Sequence, residues 1–389
     1  MPAFRTGGRT GQRANQDLSP SEGSPMTTRT TQPQPQPAEE TGTTAHLSLH
    51  QPRLPRWGGW LVAALAVAAS SLVSLTLGWG VVGALVLAIV LFAVALPAWS
   101  ALVENSRAAK DRLVTTLVWT AFAIAMVPLI SLLWTVVGNG LKVINAQFLT
   151  YSMRNIIGEG GGIYHAIIGT LLITLAATVI SVPVGLMTSI YLVEYGVRNK
   201  TARTITFLVD VMTGIPSIVA GLFAYALFVL FFGEGVRMGI GGAVALSLLM
   251  IPIVVRSCEE MLKLVPHDLR EASYALGVPK WRTVVKVVLP TALPGIITGI
   301  TLAIARVIGE TAPLLIIAGS TDSVNTNLFA ERMMTLPVFI YYSYTQPGVP
   351  AEFGQARAWG AALVLIVIVM ALNLLARMLG RFFSPKTSR

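Results

Sequence analysis

Arg306 and Glu310 are two charged residues, four positions apart, in the otherwise apolar stretch ARVIGETAPLL (305–315). A guanidinium group presents its N–H donors in a fixed fork that suits carboxylates and tetrahedral oxyanions, and it stays charged at physiological pH. Residues four apart share one face of a helix, so the two side chains could pair. Two interpretations remain open: an internal ion pair that positions helices, or an anion site in which Glu310 keeps binding weak enough for release.

The composition indicates that these residues belong to an integral membrane protein. Of 389 residues, 54% are hydrophobic and only 12% are charged, and the mean hydropathy is +0.68. Eight segments are long enough to cross the roughly 30 Å of bilayer hydrocarbon as helices. We therefore predict an all-α polytopic helical bundle of about eight transmembrane helices. The predicted spans are 58–77, 80–103, 113–137, 164–192, 205–232, 239–255, 290–318 and 358–383.

The predicted span 290–318 places Arg306 inside the membrane. Arg306 lies 12 residues beyond Pro294, which is roughly 18 Å along a helix and near the bilayer midplane. A cation at that depth costs on the order of 2.5 to 3.5 kcal/mol. We therefore expect Arg306 to face a partner group or a water-filled path, and not lipid.

The amino-terminal part of the chain divides into two regions. Residues 1–55 are rich in Gln, Pro, Thr, Gly and Ser, and such a composition buries too little apolar surface to offset the entropy of ordering. We predict a disordered cytoplasmic tail there. Residues 56–112 contain the first two spans, which are joined only by Gly78, Trp79 and Gly80 and should form a tight transmembrane hairpin.

The distribution of Lys and Arg predicts the orientation, because basic residues near span ends are retained in the cytoplasm. With the N-terminus inside, the inner loops carry 18 basic residues and the outer loops five. Four more lie in the distal tail, and Arg306 is the one left within a span. Both termini are therefore predicted to be cytoplasmic. The five outer residues are Lys142, Arg154, Arg237, Arg332 and Arg357.

The loop 263–289 is predicted to be cytoplasmic and to contain a compact helix-turn-helix. Asp268 and Glu271 have the spacing of a capping box, and Gly277 is a C-terminal stop. Pro279 favours the start of a second helical turn, and we expect Arg270 at the periphery. These signals alone leave a lipid-surface helix and a protein-docking helix equally open.

The run EASYALGVPKWRTVVKVVLP (271–290) resembles the cytoplasmic "EAA" loop of ABC-importer permeases. The matching positions are Glu271, Ala272, Gly277, Leu289 and Pro290, while Ser273 stands where that family usually has alanine. The resemblance implies that the loop docks on a separate nucleotide-binding ATPase and couples ATP hydrolysis to movement of the membrane helices.

Four further segments resemble the PstA-type permeases of phosphate importers. They are IYLVEYG (190–196), GIPSIVAGLFAY (214–225), RSCEEMLKLVP (256–266) and ARVIGETAPLL (305–315). The resemblance implies an ABC permease domain over 113–389, with a core transmembrane region at about 165–377, to which the 56–112 hairpin is an addition.

The same resemblance implies a function and a set of partners. The chain is expected to move inorganic phosphate into the cytoplasm by alternating access, with Arg306 and Glu310 in the substrate path. The expected partners are a PstC-type permease, two PstB-type ATPase subunits and a PstS-type phosphate-binding protein, in the lipid of a bacterial cytoplasmic membrane. Alternatives are an ABC permease for sulfate or molybdate and, less favoured, an ion-coupled secondary carrier.

Several function classes are disfavoured. The chain has no G-x-x-x-x-G-K-[ST] motif, so we expect no ATPase activity of its own. Its four histidines and its single cysteine, Cys258, show no metal-ligand spacing, and we expect no metal, cofactor or catalytic residues. Interleaved basic and aromatic residues are absent, so nucleic-acid binding is not expected.

Smaller features are interpreted as structural. Glu194 and Asp210 are predicted to be solvated near span ends, and His165 to be interfacial. Gly214 and Pro216 precede a long apolar run, and we expect ordinary kinking of that span there.

Overall fold

The computed structural model describes residues 54–55, 57–78, 80–104, 106–196 and 199–383. Residues 1–53 of the predicted disordered tail lie outside the described residues. The chain forms two compact units that divide between Arg112 and Leu113.

The regular secondary structure of the described residues is helical, and these residues contain no strand. In chain order the helices are α1 (Gly58–Leu77), α2 (Gly80–Val103), α3 (Ser106–Gly140), α4 (Ala146–Thr150), α5 (Tyr164–Ile190), α6 (Lys200–Thr213), α7 (Ser217–Phe232), α8 (Gly239–Lys263), α9 (His267–Ala275), α10 (Lys280–Thr283), α11 (Leu289–Val307), α12 (Ala312–Ile317), α13 (Leu336–Thr345) and α14 (Ala351–Phe383). One π-helical turn, Tyr191–Tyr195, continues α5, and another, Val284–Val288, joins α10 to α11.

In the first unit, α1 and α2 form the predicted hairpin, with the predicted bounds. The Ser74 hydroxyl donates to the carbonyl oxygen of Gly80 at 2.8 Å across the turn. Glu104 closes the far end of this hairpin: its carboxylate accepts hydrogen bonds from the Leu54 amide at 2.7 Å and from the Ser100 hydroxyl at 2.6 Å. Both Nε and Nη2 of Arg112 also donate to it, at 2.9 and 2.8 Å.

In the second unit, α8 is the central helix and packs against α5, α6, α7, α11 and α12. Its contacts with α5 run in parallel, since Gly242 lies against Ile173 and Gly185 lies against Val254. The buried faces of α5, α8 and α11 form one apolar core that also contains Leu336 and Phe339 of α13. The starts of α5 and α8 therefore lie at one end of the unit, and the loop 263–289 lies at the other.

The predicted span 205–232 is wrong as a single helix. Lys200–Thr213 and Ser217–Phe232 are separate helices that meet at an angle of 108°. Pro216 precedes the second helix with an extended ψ of 138°, and it has no N–H to donate to the preceding turn. The distortion at Gly214 and Pro216 is therefore a sharp turn between two helices and not the ordinary kink expected.

The predicted span 290–318 is also interrupted. Helix α11 ends at Val307, and α12 begins at Ala312. Pro313 lies in the first turn of α12, where its missing N–H would have no intrahelical acceptor in any case. Residues 308–311 form a break inside an apolar segment.

Seven described helices are long and apolar enough to cross a membrane, or up to eight if α6 and α7 together form one span. This agrees with the predicted all-α class and number of spans. Three helices are longer than predicted, because α3, α8 and α14 extend beyond their apolar cores into polar sequence.

Candidate functional site

Arg306 lies in the last turn of α11, and its side chain is exposed. Glu310 is half-buried in the break after α11, where its backbone N–H donates to the carbonyl oxygen of Val307 at 3.0 Å. The shared helical face predicted for these two residues is therefore wrong, because the helix ends between them. Among the described residues, no hydrogen bond or ion pair joins Arg306 to Glu310.

The surroundings of Arg306 leave space on one side of α11. A side-chain carbon placed on Gly309 would meet no atom within 4 Å. Irregular backbone inside an apolar membrane segment is tolerated where it is covered by protein or lines a water-filled cavity. The end of α11 and the break that follows it thus carry a cation, Arg306, and a carboxylate, Glu310, beside the open space at Gly309.

Loop 263–289 forms a helix-turn-helix at the opposite end of α8 from Gly239. Helix α9 begins at His267 with Pro266 as its N-cap, so the predicted capping box from Asp268 is wrong and Asp268 lies in the first turn. Gly277 ends α9 with a φ of +73°, as predicted. Its N–H donates to Tyr274 at 2.9 Å and that of Val278 donates to Ser273 at 3.2 Å, the hydrogen-bond pattern of a Schellman motif.

A buried hydroxyl pair holds the two helices of the loop together. The Ser273 and Thr283 hydroxyl oxygens lie 2.8 Å apart. The exposed surface of the loop is partly apolar, with Leu276 83% and Trp281 58% exposed. A cluster of exposed apolar residues rimmed by charge is typical of a protein-binding surface.

The structure places the motif residues of this loop in two groups. Glu271, Ala272 and Gly277 lie exposed on or beside α9. Leu289 and Pro290 lie at the start of α11, directly after the π-helical turn Val284–Val288. The first group is accessible to a partner, and the second connects the loop to the helix that carries Arg306.

Arg270 is buried, which corrects its predicted place at the periphery. Its Nε and Nη2 donate to Glu194 Oε1 at 3.1 and 2.9 Å. Its Nη1 donates to the carbonyl oxygen of Val265 at 2.6 Å, and Nη2 donates to that of Leu262 at 2.9 Å. The two side chains are only 10% and 5% exposed, so the predicted solvation of Glu194 is also wrong.

This ion pair connects loop 263–289 to the end of α5. Glu194 belongs to the π-helical turn Tyr191–Tyr195, and Lys280 of α10 places its ammonium group 4.9 Å from the ring centroid of Tyr195 in the same turn. No local sequence pattern indicates this ion pair, because its two residues are 76 positions apart.

A second charged cluster connects α6 to α8. Arg256 pairs with Asp210, and its Nη1 donates to Glu259 Oε2 at 2.8 Å. Lys263 completes the cluster with a 2.7 Å bond to Glu259 Oε1. Asp210 remains largely exposed, as predicted, but it is paired. The spacing of Arg256, Glu259 and Lys263 on one helix face could have revealed the cluster from sequence.

His165 lies in the first turn of α5, at the end of a candidate membrane span, and is 1% exposed, so protein covers the side chain. Its ring packs edge-on against Phe339 at 5.5 Å. Within the described ranges, no group of three or more His, Cys, Asp or Glu side chains could hold a metal ion.

Residues 181–389 match the family of binding-protein-dependent transport system inner membrane components. The chain is 48% identical over 286 residues to the phosphate transport system permease protein PstA 1 of Mycobacterium tuberculosis, a match that spans 73% of this chain and 91% of that protein. It is 40% identical to the phosphate transport system permease protein PstA of Yersinia pestis over 273 residues, or 70% of this chain and 90% of that one.

A chain of a bacterial alginate ABC transporter, solved in complex with a periplasmic protein bound to an alginate pentasaccharide, has a similar fold. The TM-score is 0.53 at 12% identity, and the likeness covers 72% of this chain and 97% of that one. The sequence matches and the fold agree: this chain belongs to the family of binding-protein-dependent transport system inner membrane components, as a permease of PstA type.

Proposed function

We propose that this chain is the membrane permease of an ATP-driven phosphate importer and that Arg306 contacts phosphate in transit. The substrate is inferred from the phosphate transport permeases to which the chain is 48% and 40% identical over most of their length. The observation that carries the role of Arg306 is its exposed guanidinium at the end of α11, beside the helix break.

An exposed arginine in an apolar helix needs a polar environment, since a cation in hydrocarbon is costly. A path for an anion supplies that environment. Glu310, one turn of irregular chain away, would weaken anion binding by repulsion, which allows the anion to leave. The open space around Gly309 supports an approach to Arg306 from this side.

The partners proposed are a second permease of PstC type, two PstB-type ATPase subunits and a PstS-type phosphate-binding protein. Loop 263–289 suits an ATPase subunit as its partner because Glu271 and Leu276 are exposed on or beside α9. The buried hydrogen bonds of Arg270 and Ser273 fix the opposite face of that helix. The proposed orientation, with both termini in the cytoplasm, follows from the excess of basic residues on the side of this loop.

Uptake of labelled phosphate tests this function. A bacterial strain that lacks this permease is complemented with the wild-type chain, and phosphate and sulfate uptake are measured at low external concentration, with and without depletion of cellular ATP. Phosphate uptake restored only in the presence of ATP is expected, with sulfate uptake unchanged. Restored sulfate uptake would favour the alternative oxyanion, and restoration that survives ATP depletion would favour a secondary carrier.

A further inference from the structure

Two arginines converge on Gly319 at the end of the second unit that lies opposite loop 263–289. A side-chain carbon built on Gly319 would lie 3.0 Å from Arg237 Cδ and 3.3 Å from Arg332 Cδ. Both Cδ atoms are thus close to the same point. The distance between them cannot exceed the sum of the two distances, 3.0 and 3.3 Å. Gly319 has a φ of +76°, a conformation that favours glycine.

The backbone holds both arginines in these positions. The N–H of Met238, the residue after Arg237, donates to the carbonyl oxygen of Ile317 at 3.0 Å. The N–H of Met333, the residue after Arg332, donates to that of Ala318 at 3.0 Å. Two segments that are far apart in sequence are therefore hydrogen-bonded to the consecutive carbonyl oxygens of Ile317 and Ala318, just before Gly319. Both methionines are buried.

Neither guanidinium has a carboxylate partner in the part of the chain that the structure describes. Arg237 is half-buried and Arg332 is exposed, and neither side chain forms an ion pair or donates a hydrogen bond there. Glu234 and Glu331, the acidic residues nearest to them in sequence, are exposed and pair with neither. Two like charges held side by side repel each other unless a counter-ion lies between them.

We infer that Arg237 and Arg332 form a binding site for a phosphate group. Two guanidinium groups on either side of one glycine can donate to different oxygens of the same tetrahedral anion. Because Gly319 lacks a Cβ, both side-chain stems lie against it without the shift of a few tenths of an ångström that a larger residue would require. The group bound is either free inorganic phosphate or the headgroup phosphate of a membrane lipid, since both present the same oxygens.

The position of the site gives it a role that rests on the proposed function. Helix α8 separates Arg237 from loop 263–289 by 25 residues, or about 37 Å. If that loop is cytoplasmic, the two arginines lie at the outer face, before Arg306 on the inward route. A phosphate ion arriving from outside would meet this site first.

Binding of labelled inorganic phosphate to the purified full chain in lipid nanodiscs tests the inference. All proteins carry Arg306→Gln, so that any remaining saturable binding reports another site. Arg237→Gln/Arg332→Gln is expected to bind phosphate at least ten-fold more weakly than its parent. The control Lys142→Gln/Arg154→Gln removes the same charge from two exposed residues near the same end and should bind like the parent.

Gly319→Ala provides a second variant that keeps both charges. Its methyl group would shift the two arginine stems by a few tenths of an ångström, and alanine is strained at the φ of +76°, so phosphate binding should weaken although net charge is unchanged. Native mass spectrometry of the same samples distinguishes the two sources: loss of a retained phospholipid without a change in free-phosphate binding assigns the site to a lipid headgroup. If the double variant binds free phosphate and retains phospholipid to the same extent as the control, the inference is wrong.

Failure of the inference is separable from failure of the proposed function. In cells, loss of a free-phosphate site should raise the KM for uptake several-fold with little change in maximal rate, whereas a wrong substrate leaves wild-type complementation without effect. Suppose that Arg237→Gln/Arg332→Gln binds phosphate and lipid normally and loses only its binding to the periplasmic binding protein. That result would overturn the phosphate site and assign the two arginines a docking role.

Discussion

Arg270 of α9 and Glu194 of the π-helical turn after α5 form a buried ion pair with an Nη2 to Oε1 distance of 2.9 Å. The guanidinium also donates to the carbonyl oxygens of Leu262 and Val265 at the end of α8. One side chain thus joins three elements, and under the proposed function it would transmit movement of a docked α9 to the ends of α5 and α8. This connection gives loop 263–289 a mechanical route into the membrane helices.

Glu194→Met is expected to destabilise the protein more than the double substitution Glu194→Met/Arg270→Met. Removing only the carboxylate leaves an uncompensated buried cation, which costs about 3 to 5 kcal/mol. Replacing both residues removes that cation. Thermal unfolding of the detergent-solubilised chain measures the difference.

The exposed pair Glu159→Met/Arg154→Met serves as the control, because neither residue forms a described ion pair. Its unfolding temperature should stay near that of wild type. Equal destabilisation by Glu194→Met and by the double variant would contradict a significant role for the ion pair.

Leu276→Asp is expected to reduce co-purification of an ATPase subunit without changing the stability of the chain. Leu276 is 83% exposed at the tip of α9, so the substitution creates no cavity, but it places a charge on the proposed docking surface, which is apolar there. Co-purification from membranes measures the effect. Val349→Asp, at a residue 92% exposed near the start of α14, should leave the yield of ATPase unchanged, and an equal loss from both variants would argue against docking at α9.

The hairpin of the first unit should lose stability in acid through Glu104. Hydrogen bonds from Arg112, then from Ser100 and Leu54, lower the pKa of Glu104 from 4.5 to about 2. The carboxylate therefore binds its proton less readily when folded than when unfolded, and its stabilising effect is present above about pH 4.5 and is lost as the pH falls toward 2.

Hydrogen exchange of the peptide that contains Leu54 measures this effect, with Glu104→Gln compared at each pH. At pH 7 the variant should exchange faster than wild type, and the difference should narrow as the pH is lowered below 4.5. A difference that does not depend on pH would mean that the charge on Glu104 does not hold this end of the hairpin.

Hydropathy located the apolar part of each unbroken membrane helix, although α3, α8 and α14 extend beyond it. The first two helices begin and end at the predicted residues because turn glycines limit them on one side. The prediction failed at the two breaks, although Pro216 and Pro313 both lie at the start of a following helix. An apolar window cannot distinguish a helix from two helices that meet at an angle, because both bury the same composition.

The charged sites were predictable only where their parts are near in sequence. Arg306 and Glu310 could be identified as unusual because they interrupt an apolar run. The pairing of Arg270 with Glu194 and the convergence of Arg237 and Arg332 on Gly319 depend on tertiary packing. No local sequence pattern indicates which distant residue will neutralise a charge. For Arg270, helix periodicity predicted an exposed position, whereas the side chain is buried.

The initial rate of phosphate uptake by Arg306→Gln, relative to wild type and to Arg306→Lys, tests the central claim most directly. Chains must first be shown to reach the membrane in equal amounts. We expect Arg306→Gln to abolish uptake, because the site loses its charge, and Arg306→Lys to retain only a small fraction, because an ammonium group lacks the two-pronged donor geometry. Uptake by Arg306→Gln at the wild-type rate would remove Arg306 from the path and contradict the account.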